Sequence, residues 1–399
     1  MATIAVLGTL DSKGVQHALL ADCIRERGHE VLLIDIGTGT DPEITPDIDR
    51  FQVAAAADLD LQGMMDRKDR GECVVAMSEA APACIAKLHA EGRFEAIISL
   101  GGGGGTAIAT AAMRALPLGV PKLMVSTLAS GNTAHYIGES DIAMMPSIVD
   151  VQGLNRVSEG VFRRAAGAIC GMVETRIDEA KAKPLIVCSM FGNTTECIDH
   201  ATPIFEAAGY EVLVFHATGT GGRTMEKLIE SGSVSGVFDI TTTEWADELC
   251  GGTLSAGPTR LEAAGKAGVP AIIAPGCLDM VNFGERDSVP SEFEGRTFYI
   301  HNPQVTLMRT TEQECAQLGH MLADKVNAYT SPVEIFIPKG GISVISRKGK
   351  AFHDTAADEA LFKSIHDHAK VPVHDYNEDI NDRAFAEAAA KRLLKLIQS

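Results

Sequence analysis

The chain has 399 residues, 45% hydrophobic and 22% charged, which is ordinary globular composition and more than one domain's length. Its net charge of −18 includes no basic block, which argues against a surface built for nucleic acid or anionic lipid. Nine cysteines without a C-x-x-C pair, no apolar window of roughly 18 residues and no basic leader predict a reduced, cytoplasmic protein without disulfides, membrane span or signal peptide.

In chain order, TIAVLG reads as a strand, VQHALLADCIRERG as an amphipathic helix and HEVLLIDIG as a second strand. EAIISL, TAIATAAMRAL and PKLMVS repeat the alternation, which predicts an α/β fold with mainly parallel sheets covered on both faces. The run RVSEGVFRRAAGAICGMVETRIDEAKAKP reads as a helix and charged linker closing a first unit, 1–178, with the boundary near Asp178. The pattern then restarts in a second unit, 179–399: PLIVCSM, HATPIFEAAG, YEVLVFHATGTGG. Glu30-Val31-Leu32 matches Glu211-Val212-Leu213, and the same offset aligns Ile4-Ala5-Val6 with Leu185-Ile186-Val187. Two tandem Rossmann-like domains are the simplest explanation. PVEIFIPKGG and VPVHDY read as extra strands, and NDRAFAEAAAKRLLKLIQ as a capped terminal helix.

Between EAIISL and its helix stand Gly101, Gly102, Gly103, Gly104 and Gly105, followed by Thr106. Ligands of parallel sheets gather outside the carboxyl ends of the strands, where small residues let backbone N–H groups grip phosphate. Three other strand ends have the same character. They carry Thr9, Asp11, Ser12 and Lys13 after the first strand, Gly37-Thr38-Gly39-Thr40 after the second, and Ser130, Gly131 and Asn132 after PKLMVS. A tight turn needs one or two glycines, not five, so phosphate binding is the favoured reading, with Lys13 as its cation. No Walker A sequence occurs. The first turn also lacks a dinucleotide fingerprint, although Asp35 ends the second strand where a ribose-binding acid would sit.

The blocks IAVLGTLDSKG, SLGGGGGTA, MPSIVDVQGLNR, FHATGTGGRTME, TTTEWADEL, SAGPTRLEAA, HNPQVTLMRTT and INDRAFAEA together resemble the tobamovirus resistance inhibitor family. The resemblance covers nearly the whole chain. It implies two Rossmann-like domains, ATP binding and a homodimer, but no reaction. Plant members carry a further TIM-barrel-like domain outside these blocks, so inhibition of viral RNA replication is not an expectation here.

The second unit has its own polar strand ends. Thr218-Gly219-Thr220-Gly221-Gly222-Arg223 suits an anion nest, and Glu244, Asp279, His301 and Arg309 follow other strands. A histidine, carboxylates and the arginine pair Arg223 and Arg309 could move a proton on a small anionic metabolite. Capping by Thr243 and Glu244, a turn at His301 and burial of Cys277 as a small hydrophobe are competing explanations. No spacing amounts to a metal motif, and the single tryptophan, Trp245, offers no base-stacking platform. The leading expectation is an ATP-binding protein with phosphates on the glycine amides and Lys13, Mg²⁺ on Asp11 or a nearby acid, and an anionic metabolite as partner. The rivals are a nucleotide-independent lyase, isomerase or hydrolase run by His301 with Asp279 or Glu244, and a non-catalytic binding module.

Overall fold

The computed structural model describes residues 1–67, 69–176 and 183–399. It divides into two compact units, Met1–Glu179 and Ala180–Ser399. The boundary expected near Asp178 lies outside the described residues.

In the first unit the elements run β1 (Thr3–Gly8), α1 (Leu10–Glu26), β2 (Glu30–Asp35), α2 (Arg50–Ala55), α3 (Leu61–Asp66), α4 (Arg70–Ala90), β3 (Ala96–Gly101), α5 (Gly103–Arg114), β4 (Lys122–Ser126), α6 (Ala134–Ile137), β5 (Ala143–Pro146) and α7 (Arg156–Glu174). The strands form one parallel sheet in the order β2-β1-β3-β4-β5. Alternate strand residues face opposite layers. Ala5, Leu7, Ile97 and Met124 pack with Met77 and Ile85 of α4 and Ile108 and Met113 of α5. Ile4, Val6, Ile98 and Val125 pack with Leu20 and Ile24 of α1 and Phe162 and Ile169 of α7. Burial on both faces explains why these strands read as unbroken apolar runs.

The second unit continues with β6 (Leu185–Met190), α8 (Thr195–Ala207), β7 (Glu211–His216), α9 (Thr220–Glu230), β8 (Val234–Thr241), α10 (Glu244–Cys250), α11 (Ala263–Ala267) and β9 (Ala271–Gly276). After these come β10 (Met280–Phe283), β11 (Phe298–Asn302), β12 (Val305–Arg309), α12 (Glu312–Asn327), β13 (Val333–Pro338), α13 (Thr355–His368), β14 (Val373–Tyr376) and α14 (Arg383–Ile397). Its parallel sheet has the order β14-β13-β9-β8-β6-β7. Counted within the unit, the core order repeats that of the first, with β6 and β7 in the places of β1 and β2. The matched Glu30 and Glu211 both open the second strand of their unit, so the sequence offset is a structural one. PVEIFIP and VPVHDY form β13 and β14 and extend this second sheet.

Two local expectations differ from what is seen. A small antiparallel sheet, β10-β12-β11, intervenes between β9 and β13, and its strands are too short to show a clear period. The terminal helix starts after Asp382, whose side chain makes no capping bond and accepts from the Asp379 N–H at 2.9 Å instead.

Candidate functional site

In the first sheet the chain leaves β1 toward one edge and passes from β3 toward the other, so β1 and β3 flank the topological switch point. A cleft of 710 Å³ opens there, lined by Thr9, Asp11, Ser12 and Lys13, by Thr38, Gly39 and Thr40, and by Gly102, Gly103, Gly104 and Gly105. Met65, Cys73, Val74 and Ile108 supply an apolar wall, for which the sequence reading had no signal.

The glycine run closes β3 and opens α5. Gly101 ends the strand, Gly102 is the N-cap with φ −88°, and the first helical bond runs from the Thr106 N–H to the Gly102 carbonyl at 2.9 Å. The N–H groups of Gly103, Gly104 and Gly105 therefore have no helical acceptor behind them. None of the five has a positive φ. A Cβ added at Gly102 through Gly105 would meet no heavy atom nearer than 3.8 Å. Only Gly101 is close-packed, its Cβ position lying 3.3 Å from the Gly105 Cα. Neither turn geometry nor packing demands the remaining four, although glycine in a helix costs about 1 kcal/mol relative to alanine.

Asp11, Ser12 and Lys13 do not lie in a free loop but form the first turn of α1, which is kinked at Lys13 (φ −139°, ψ 27°). Asp11 Oδ2 accepts from the Gly39 N–H at 2.7 Å, while its Oδ1 is buried without a partner. The Lys13 ammonium donates to the Val151 carbonyl, and no carboxylate pairs with it among the described residues. The Ser12 hydroxyl turns back toward Thr9, 3.4 Å from its Oγ1. His17 is fully buried on Gly8, where any Cβ would strike its ring, and its Nδ1 lies 2.7 Å from the Lys13 carbonyl. Burial pushes its pKa down to about 4, so the imidazole supporting the kink is neutral.

Other expected residues stand elsewhere. Thr106 is buried and joins α5 to β4 through the Ser126 hydroxyl at 2.7 Å. Ser130, Gly131 and Asn132 are exposed and do not line the cleft; Asn132 Oδ1 accepts from the Ala134 N–H at the start of α6. Asp35 is 1% exposed and accepts from Gly37 N–H at 2.8 Å, Leu10 N–H at 3.1 Å and Arg50 Nε at 2.7 Å, which leaves it unable to take a ribose hydroxyl.

In the second unit the nest at Thr218–Arg223 exists, but its occupant is Glu244. The Glu244 Oε1 accepts from Gly219 N–H at 2.7 Å and Gly222 N–H at 3.1 Å. Its Oε2 accepts from Arg260 Nε at 2.6 Å. Arg260, fully buried, also reaches Asp239 at 2.7 Å and Glu226 at 3.1 Å. Arg223 lies outside this cluster, donating to the Ser255 carbonyl and the Thr220 hydroxyl.

Asp279 and Arg309 form a second buried group. Asp279 Oδ2 accepts from the Ser343 hydroxyl at 2.8 Å, its Oδ1 is unpartnered, and burial raises its pKa. The Arg309 guanidinium is spent on the Phe352 carbonyl, the Thr310 hydroxyl and Asp358. His301 is exposed within β11, not beyond it, and bonds to none of Asp279, Glu244, Arg223 or Arg309 among the described residues. Of the five residues expected to share one catalytic edge, only Asp279 and Arg309 come together, while Glu244, Arg223 and His301 stand in other settings. Burial pushes the Cys277 thiol up, as suits a small core residue. Trp245 is also buried, at 4% exposure.

Residues 2–178 match the N-terminal domain, and residues 183–397 the C-terminal domain, of an uncharacterised protein family, UPF0261. A UPF0261 protein of Clostridium tetani is 46% identical over 399 residues, covering 99% of both chains. The ToMV susceptible and ToMV resistance proteins of tomato, Solanum lycopersicum, are each 39% identical over 339 residues, 82% of this chain. That stretch is 45% of the tomato proteins' own length. The resemblance carried by the sequence blocks therefore holds along both units, and the chain belongs to the UPF0261 family, which includes the tomato ToMV susceptible and resistance proteins.

Proposed function

We propose that the first unit is an ATP-binding module whose phosphates lie on the N–H groups of Gly103, Gly104 and Gly105. The observation that carries this reading is that Gly102 through Gly105 are free of any demand from backbone conformation or packing, yet line the cleft at the switch point. A bulky anion against the main chain supplies the missing reason for them. The α5 dipole adds a partial positive charge, and Lys13 retains two ammonium donors beyond its bond to Val151. The apolar wall of Met65, Val74 and Ile108 suits a purine face.

Asp11 and Asp69 are carboxylates that line the cleft, and Asp11 would hold Mg²⁺. The unpartnered Oδ1 of Asp11 offers one hard oxygen ligand. No cluster of three or more His, Cys, Asp or Glu side chains able to hold a metal occurs among the described residues, so the phosphates and water would supply the other ligands. Bound in this way, ATP would bring phosphoryl-transfer chemistry, and the finer reading is an ATP-dependent enzyme acting on a small anionic metabolite. Among the described residues His301 bonds to neither Asp279 nor Glu244, so the geometry lends the nucleotide-independent alternative less support. The homodimer belongs to the same proposal and is checked by sedimentation. Among the described residues no helix is long and apolar enough to cross a membrane.

Isothermal titration of the full chain with ATP and with adenosine tests the core of this reading. ATP is expected to bind and adenosine to bind far more weakly. Equal affinity for the two would take the phosphates off the glycine amides.

A further inference from the structure

The second unit contains a cavity of 540 Å³ between the loop that follows β13 and one face of α13. Its mouth carries Lys339, Lys348, Lys363, His353 and His366, opposed by Glu359. Its floor is Ser346, Phe362 and Asp358, whose side chain is 13% exposed. Lys339 and Gly340 come directly after β13, so the cavity sits at the carboxyl end of this strand, the usual ligand edge of a parallel sheet.

Three lysines and two histidines around one cavity run against the chain's net charge of −18. Lys348 has no ion pair among the described residues. Lys339 and His366 share Asp375, and Lys363 pairs with Asp367 one helical turn away. These are exposed pairs in high dielectric, easily given up to a bound anion.

The floor is different in kind. Arg309 Nη2 donates to Asp358 Oδ1 at 2.6 Å, which fixes the carboxyl group. No hydrogen bond reaches Asp358 Oδ2 among the described residues, so this oxygen can accept from a ligand hydroxyl. Ser346, beside it on the floor, is tied through Ser343 to the buried Asp279. A rim of cations above a fixed acceptor matches a molecule with an anionic end and a hydroxyl-bearing body.

We propose that this cavity is a binding site for a small polyhydroxy anion, a sugar phosphate or sugar acid, with its charge on the lysine rim and a hydroxyl on Asp358. Burial pushes the Asp358 carboxyl up to about 6, which leaves it ionised and accepting at neutral pH. The site stands apart from the nucleotide reading and requires no ATP.

The test is calorimetric titration of the full chain, without nucleotide, with ribose 5-phosphate, ribonate and ribose. One of the two anions is expected to bind and ribose not to bind; which anion binds assigns phosphate or carboxylate. Lys348→Gln and Lys363→Gln, both at exposed positions, should each weaken that binding by roughly tenfold. Gly103→Val, in the other unit, should leave it unchanged. Asp358→Asn should weaken the polyhydroxy anion while sparing inorganic phosphate. Failure of both anions to bind, or an affinity indifferent to both lysine substitutions, would overturn the proposal. So would loss of binding in Gly103→Val.

Discussion

The Gly219 N–H lies 2.7 Å from the Glu244 Oε1, so the anion seated at the start of α9 is one of the protein's own side chains. The first unit fills the loop after β2 in the same way, with Gly37 on Asp35 and Gly39 on Asp11. In both units a buried arginine, Arg50 or Arg260, holds the carboxylate in place. The N-terminus of α5 stands apart. No carboxylate accepts from Gly103, Gly104 or Gly105 among the described residues, and all three glycines line the cleft.

Gly103→Val therefore separates ligand binding from folding. The new Cβ would lie 3.9 Å from Leu128 Cδ1, an ordinary contact, and φ at this position is not positive. The apo protein should unfold within a few degrees of wild type, while the thermal shift produced by ATP disappears because the branched side chain occupies the phosphate's place. An undiminished shift in a folded variant would move the nucleotide elsewhere.

Glu244→Gln distinguishes a structural carboxylate from a catalytic one. The amide would keep one acceptor for Gly219 and Gly222 but would present N–H groups to Arg260 Nε, now lying 2.6 Å from Glu244 Oε2. Breaking one partner of a buried ion pair costs about 3–5 kcal/mol, and Arg260 keeps Asp239 and Glu226, so a loss near the lower end is expected. Urea denaturation followed through the second unit measures it. Wild-type stability would return Glu244 to the list of chemical candidates.

The limits of the sequence reading show in the same residues. Strand positions such as Ile4 to Leu7 are legible because both neighbours along the chain are apolar and the pattern is local. Asp239 inside GVFDI is a visible anomaly, a charge within a buried strand, but nothing local says that Arg260 neutralises it. The nest at Gly219 was readable from its glycines, whereas its occupant comes from another helix and could not be read that way. Lys13 and Ser130 have the right residue types at the right strand ends. Where the Lys13 ammonium points depends on the Val151 carbonyl, more than a hundred residues away.

Acid titration should act through Asp247 and through His17 with opposite sign. Asp247 in the second unit is fully buried, and desolvation pushes its pKa up to about 7 despite hydrogen bonds from Asn282. A raised folded pKa means its contribution is fully present below about 4 and is lost as pH rises through about 7. His17 in the first unit is the mirror case, with its pKa pushed down to about 4 by burial. Its contribution is present above about 6.5 and is lost as pH falls toward 4. Asp247→Asn should flatten the second unit's slope, because Asn282 has an unpartnered Oδ1 that can accept from the new amide after a flip. Unfolding of wild type and Asp247→Asn measured from about pH 4 to 8 checks the sign, and a variant whose stability relative to wild type does not rise with pH would contradict the Asp247 assignment.

The last prediction concerns the independence of the first unit. Among the described residues, the two hydrophobic clusters that cover the first sheet draw on α1, α4, α5 and α7 of the same unit. A fragment of residues 1–176 should therefore fold alone and show a cooperative urea transition. Its C-terminal helix is the sensitive part, since α7 places Phe162, Ala165, Ala166, Ile169 and Cys170 against α1 and the sheet. Ending the fragment at Asn155 removes these side chains and exposes Leu20, Ile24 and Ile98. Phe162 and Ile169 alone are worth about 3–6 kcal/mol of burial at 1.5–3 kcal/mol each, comparable with the 5–15 kcal/mol that holds an ordinary domain. The shorter fragment should lose its transition while the longer one keeps it. Loss of the transition in both, under the same conditions, would show that the first unit needs the second to fold.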